Sequence, residues 1–245
     1  MTPVRVSTRR SRRVRVAVAS QHALVSEAVV AALHNGGFAP LLVRWPYPTR
    51  DQSSHPERRA VRRKPLGPPP DAGLLLSDLT RLDQVTSALT ILTGLPVPWL
   101  VMAGIARGPA WGALYEGGAE LVVPSDTGLG EVVELLGELV TSGRPEGDRR
   151  ERRELIRGWR EFAAYRVDLE ARLKTLTDRE GVILEQLHQG RAVRDIAERF
   201  DVTESTVRSQ VKAILKKLDV NSQMAAVAAY ESLLTNSTQR TVGFR

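Results

Sequence analysis

The chain has 245 residues, 42% of them hydrophobic, and carries 35 Lys and Arg against 28 Asp and Glu, a formal net charge of +7. That length accommodates one large domain or two small ones with proper cores, and the basic balance suits an anionic partner, either nucleic acid or an acidic membrane surface. The absence of cysteine excludes disulfides, thiolate zinc sites and cysteine nucleophiles.

The four histidines, His22, His34, His55 and His188, do not cluster with carboxylates, so neither a metal site nor a cofactor is expected. No apolar run approaches the roughly 20 residues that span a bilayer. The start, Ser7 to Arg13, has the paired arginines of an export signal, but such a signal needs an uninterrupted apolar stretch next. Arg15, His22 and Glu27 interrupt it. The expectation is a disordered basic tail over residues 1–13, a cytoplasmic protein and no membrane partner.

Val14–Ala19 alternates and is β-branched, which predicts a strand. Ala23–Leu33 has apolar residues at helical spacing and stops at Gly36 and Gly37. Phe38–Val43 predicts a second strand. Residues 46–70 break the pattern with prolines and a basic cluster of Arg58, Arg59, Arg62, Arg63 and Lys64, and read as a loop. It is either a plain insertion or a surface for a ligand or partner.

Order returns with a short buried strand at Gly73–Leu76, a helix at Arg81–Thr93 stopped by Gly94, and an apolar strand at Trp99–Ala103. A helix at Ile105–Gly117, a strand at Glu120–Val123 and an amphipathic helix at Gly130–Val140 follow. Alternating strands and helices imply a parallel five-stranded sheet covered on both faces. This first domain is placed at 14–141.

A polar link leads to a long charged helix, about Arg149–Lys174, in a linker region placed at 142–175. Leu155, Trp159, Phe162, Leu169, Leu173 and Leu176 follow alternating steps of four and three, with Arg166 in one slot. That heptad seam fits either a dimerising coiled coil or a single helix packed on its own chain.

The last domain, 176–236, opens on Thr177 and Glu180, a capping box, before a tail at 237–245. Ile183, Leu184 and Leu187 give its first helix a buried face, and Gly190 stops it. A second helix, about Val193–Phe200, buries Ile196, Ala197 and Phe200. Asp201, Val202 and Thr203 form a tight turn, and Thr203 caps a third helix, Glu204–Leu218, with core residues Val207, Val211, Ile214 and Leu218. Asn221 or Ser222 caps a fourth that runs to about Leu234.

Two helices joined by so short a turn have the spacing of a helix-turn-helix, whose second member enters the DNA major groove. The buried positions of Glu204–Leu218 then fix its exposed ones. Arg208, Ser209 and Lys212 project outward as candidate base readers, Arg by two bonds to guanine. Thr203, Thr206, Gln210, Lys216 and Lys217 fall on the flanks, where phosphates are held.

At these residues the chain resembles the LuxR/NarL family of transcription regulators. The resemblance runs from Leu176-Thr177-Asp178-Arg179-Glu180 through Asp195-Ile196-Ala197 to Thr206-Val207-Arg208-Ser209-Gln210-Val211 and Lys217-Leu218-Asp219-Val220. It implies that the third helix reads DNA, that the fourth contributes to dimerisation, and that Arg208, Ser209 and Lys212 are the base readers. Where the family often has Ser-Asn, this chain has Ala192-Val193, which removes a helix cap.

The N-terminal part resembles, less closely, the flavodoxin-like receiver domain of response regulators. Compared with that family, the pocket for aspartate phosphorylation is degenerate. The acidic magnesium ligands after the first strand fall on Ser20 and Gln21, and the phosphorylated aspartate on Leu76 or Ser77, with Asp78 one or two places late. The switch hydroxyl falls on Ala103 and the lysine near Pro124 and Ser125. Without its carboxylates or lysine, such a pocket is not expected to offset a phosphoryl charge; a shifted loop using Asp78 is the rival reading. The small residues Ala19, Ser20, Ala103 and Gly104 suggest room for a ligand.

The fold class expected is therefore α/β plus all-α: an atypical receiver-like domain, a linker helix and a four-helix LuxR-type domain. The function expected is DNA-binding transcription regulation by a dimer, without aspartate phosphorylation. Its expected partners are double-stranded promoter or operator DNA, a second copy, RNA polymerase, and a small-molecule or protein effector at the receiver-like domain. A sigma-factor-like subunit is the alternative, but aromatic content is 5% and the N-terminal pattern is α/β. A non-enzyme is expected, because an enzyme with a DNA-binding tail would need a nucleophile elbow, a phosphate-binding loop or a histidine–carboxylate cluster, and none is visible. Retained Arg208 and Lys212 argue against a partner that has lost DNA binding.

Overall fold

The computed structural model describes residues 13–46, 68–143 and 149–234. Residues 1–12, most of the basic Pro-rich loop with its arginine cluster, and the C-terminal tail lie outside the described residues.

Five strands form one parallel sheet: β1 (Arg15–Ser20), β2 (Ala39–Val43), β3 (Ala72–Ser77), β4 (Trp99–Ala103) and β5 (Ala119–Pro124), in the order β2-β1-β3-β4-β5. That is the doubly wound flavodoxin-like order. The central strands are buried on both faces, as parallel strands between helical layers must be: every residue of β3 and β4 is buried. Four helices accompany them, α1 (Ala23–Asn35), α2 (Leu82–Gly94), α3 (Pro109–Glu116) and α4 (Leu129–Thr141).

One core lies between the sheet and the α1–α4 layer. Val16, Val18, Leu74, Leu100 and Met102 meet Val29, Leu33, Val132, Leu136 and Leu139 there. Ala17, Ala19, Leu75, Trp99 and Val101 are buried at the alternate positions. Gly73 is required by Trp99: a methyl at Gly73 would run into the indole ring, which is pinned by its Nε1 donating to the Leu95 carbonyl at 3.0 Å.

α1 ends two residues beyond Leu33, at the expected glycines, and Gly37 takes φ +84. α3 is shorter than expected at its start. Gly108 and Pro109 set the new boundary, because proline lacks an N–H and is accommodated only in a first turn.

The described residues fall into two compact units. The first holds the sheet, α1, α4 and most of α2; the second holds the rest of the chain from Arg149 together with Leu79–Val85 and Arg107–Ala113. In the second, α5 (Arg149–Leu173) precedes α6 (Asp178–His188), α7 (Val193–Arg199), α8 (Glu204–Leu218) and α9 (Gln223–Leu234). Leu169, Ile183, Leu184, Ile196, Val207, Ile214, Leu218 and Ala226 form one cluster, with Leu173 and Leu176 packed against it.

The heptad seam of α5 is thus used within the chain over its C-terminal half. Arg166, the residue out of pattern, is itself buried, and its Nη1 donates to the Ser232 carbonyl at the end of α9 at 2.9 Å. Burial lowers its pKa, opposed by the Glu170 carboxylate, but an arginine stays charged. Farther up α5, Trp159 and Phe162 stack with centroids 5.7 Å apart.

Candidate nucleic-acid interface

The helix-turn-helix is α7, the turn Phe200–Thr203, and α8. α7 keeps half of a capping box. Ala192 has no side-chain acceptor, while Asp195 Oδ2 accepts the Ala192 N–H at 3.4 Å. The turn depends on Asp201 at φ +50, a left-handed conformation that aspartate tolerates better than most residues.

Thr203 caps α8, its Oγ1 accepting the Thr206 N–H at 3.2 Å. At the other end Asp219 takes the left-handed cap with φ 57. Its carboxylate meets Arg172 Nη1 at 3.0 Å, and the same guanidinium donates to the Leu218 carbonyl at 3.2 Å and pairs with Asp168. α5 therefore grips the carbonyl end of α8, where a cation complements the helix dipole.

Buried Val207, Ile214 and Leu218 anchor one face of α8. The opposite face carries Arg208, Ser209 and Lys212, all exposed, with Lys216 exposed one turn on. Arg208 Nη2 is held 2.8 Å from Glu204 Oε2, and Ser209 Oγ donates to the Ser205 carbonyl at 2.9 Å. Thr203 and Thr206 are exposed at the start of the helix with their hydroxyls 2.8 Å apart, and Gln210 is half-buried. Ser205, which the sequence reading passed over, shares this first turn: its hydroxyl lies 2.8 Å from Thr203 Oγ1. Its signal was present, since a Ser one residue inside a capped helix start stands exposed beside the cap.

Lys217 is placed differently from its neighbours. Its ammonium donates to Glu180 Oε2 at 2.6 Å and to the Thr175 carbonyl at 3.0 Å. Glu180 is 5% exposed and also accepts from the Thr177 N–H at 2.7 Å and the Thr177 hydroxyl at 3.1 Å. Burial by itself would raise the Glu180 pKa; the hydrogen bonds from Lys217 and Thr177, with the Lys217 charge, outweigh burial and hold it below the ordinary carboxylate value. Two helices separated in sequence are joined at this carboxylate.

The residues compared with a phosphorylation pocket gather at the C-terminal edge of the sheet. The strand register sets Ser20 opposite Leu76, Ser77 opposite Ala103, and Ala103 opposite Pro124. Asp78 follows directly after β3. Its Oδ2 accepts from Gln21 Nε2 at 3.0 Å and lies 3.2 Å from His22 Nε2. Ser125 donates its N–H to the Ala103 carbonyl at 2.9 Å. Among the described residues, no group of three or more His, Cys, Asp or Glu is arranged to hold a metal ion.

No described helix is long and apolar enough to cross a membrane. Residues 174–229 match the family of bacterial regulatory proteins called the luxR family. The nitrate/nitrite response regulator protein NarL of Escherichia coli K12 is 43% identical over 63 residues, 26% of this chain and 29% of its own. The transcriptional regulatory protein DesR of Bacillus subtilis is 35% identical over 60 residues, 24% of this chain and 30% of its own. The chain thus spans under a third of these curated relatives. Among solved structures, the response regulator ChrA of a heme-sensing two-component system is 18% identical with a TM-score of 0.39, covering 91% of this chain and 98% of that one. RcsB of Salmonella typhimurium is 17% identical with a TM-score of 0.40, covering 90% and 98%. Residues 174–229 thus form a luxR-family domain, and in this region the chain is similar to the response regulator NarL.

Proposed function

We propose that this chain is a sequence-specific DNA-binding transcription regulator that acts in the cytoplasm as a homodimer, its receiver-like domain controlled without aspartate phosphorylation. The observation that carries the DNA reading is the face of α8. Arg208, Ser209 and Lys212 stand exposed on a helix whose far side is fixed by Val207, Ile214 and Leu218. A rigid helix with a basic outer face, capped by Thr203, fits a major groove and offers its first-turn amides to a phosphate. Two copies on a two-fold axis would read paired half-sites about one helical turn apart.

The register at the edge of the sheet supports the second part. Ser20, Leu76, Ser77 and Ala103 occupy the strand ends, and the nearby carboxylate, Asp78, is engaged by Gln21, which follows β1, and by His22. A divalent cation needs several oxygen ligands, and this constellation offers one carboxylate.

The test is DNA binding by the full-length protein across promoter fragments, with and without magnesium and acetyl phosphate, beside Arg208→Ala/Lys212→Ala. Specific binding that ignores the phosphodonor and vanishes in the variant is expected. Binding that rises with phosphodonor would return the function to Asp78.

A further inference from the structure

A cavity of about 330 Å³ opens at the C-terminal edge of the sheet, the edge at which doubly wound sheets take their ligands. α1 contributes Leu24 and Ala28 to its wall, β3 contributes Leu76 and β4 Met102; Ser125 and Thr127 lie in the loop after β5. The room does not lie among the small residues at the strand ends: Ala19 and Ala103 are packed into the sheet, and Gly104 abuts Asp78.

Three features define what would fit. None of the lining side chains carries a charge, so a charged molecule would give up its hydration without a partner, a cost that excludes ions from apolar sites. Two hydroxyls, Ser125 and Thr127, are the polar side chains of the wall, and each can donate one hydrogen bond and accept others. Leu24 is 81% exposed and Leu129 38%, so apolar side chains at the rim stand in water that a ligand would displace. The volume falls at the low end of the roughly 300–1,000 Å³ of small-molecule sites, and a helix about 10–12 Å across does not enter it.

We infer that this cavity binds an uncharged, largely apolar small molecule whose one polar group meets the Ser125–Thr127 end. That the molecule acts as the effector of the receiver-like domain rests on the regulatory reading above; the binding itself does not.

The test is a fluorescence titration of the full-length protein with Nile red, a neutral apolar dye, beside the anionic dye anilinonaphthalene sulfonate. Ala28 is exposed at the cavity wall, so Ala28→Phe fills the site from the solvent side, and an unchanged thermal melt verifies that the fold survives. Saturable one-to-one binding of Nile red is expected, weakened about tenfold or more in Ala28→Phe, with the anionic dye binding more weakly than the neutral one. Three results would overturn the inference: no saturable Nile red binding, equal binding by Ala28→Phe, or a preference for the anionic dye. Sedimentation of both proteins supplies a fourth. A wild-type dimer that dissociates in Ala28→Phe would assign the cavity to a second copy. Failure to bind DNA would leave the dye result standing, so the two readings fail separately.

Discussion

Lys217 Nζ lies 2.6 Å from Glu180 Oε2, and the carboxylate it meets is buried. The lysine therefore works inward, joining α8 to the cap of α6. Removing it leaves a buried carboxylate without its charged donor, at a cost of about 1–3 kcal/mol. Lys217→Ala is expected to lower amide protection across α6 and α8 in hydrogen exchange while leaving the salt slope of DNA binding nearly unchanged. Lys216→Ala, which removes an exposed cation, is expected to do the reverse and reduce the slope by about one. Equal slope losses in both would place Lys217 on the phosphate backbone.

The same carboxylate sets an acid limit. Its pKa in the folded chain is lowered, so its contribution is complete above the ordinary carboxylate value and is lost as pH falls through the folded-state value. Protection of α6 and α8 amides is expected to hold at neutral pH and to decline below about pH 4.5. In Glu180→Gln protection is lower at neutral pH and that part of the decline is absent. A Glu180→Gln profile parallel to wild type would contradict this assignment.

Arg208 is held by Glu204 at 2.8 Å, with both side chains substantially exposed. Such a pair is worth only about 0.2–1 kcal/mol, so Arg208 can leave it for a base edge. Glu204→Gln removes a negative charge from the face offered to DNA and frees the guanidinium; tighter DNA binding with little change in stability is expected in a titration at fixed salt. Weaker binding would mean that Glu204 orients Arg208 for its contact.

These residues also show how far the sequence was legible. β4 was read over its full span because a strand buried on both faces is apolar throughout, and α8 because its cap and apolar spacing agree. Arg208, Ser209 and Lys212 followed from that spacing, since fixing the buried face of a helix fixes the exposed one. Lys217 did not follow: it lies on the flank of the same helix, and its partner Glu180 is 37 residues away. Arg166 was hidden in the same way. Its slot in the heptad marks a buried position, but the Ser232 carbonyl that satisfies it comes from another helix. The start of α3 slipped because apolar spacing continued through Gly108 and Pro109, which the backbone cannot carry as helix interior.

Arg166 gives a further prediction. Arg166→Leu restores the apolar heptad but strands the Ser232 carbonyl, at about 1–3 kcal/mol. The expected outcome is faster hydrogen exchange at the end of α9 and no gain in self-association by sedimentation. A new, stable dimer would show that the seam of α5 is available to a second copy.

In the sheet, Gly73→Ala drives a methyl into the Trp99 ring. Overpacking of this kind costs about 1–3 kcal/mol, and a lower urea midpoint by tryptophan fluorescence is expected. An unchanged midpoint would mean that the ring can move aside.

DNA reading by α8 can be measured by selecting binding sites from a random duplex pool with the full-length protein and with Arg208→Ala/Lys212→Ala. An enriched motif is expected, with base preferences worth about 1–3 kcal/mol at the contacted positions, that disappears in the variant while its folding and residual salt-dependent binding persist. The same motif selected by both proteins would contradict it.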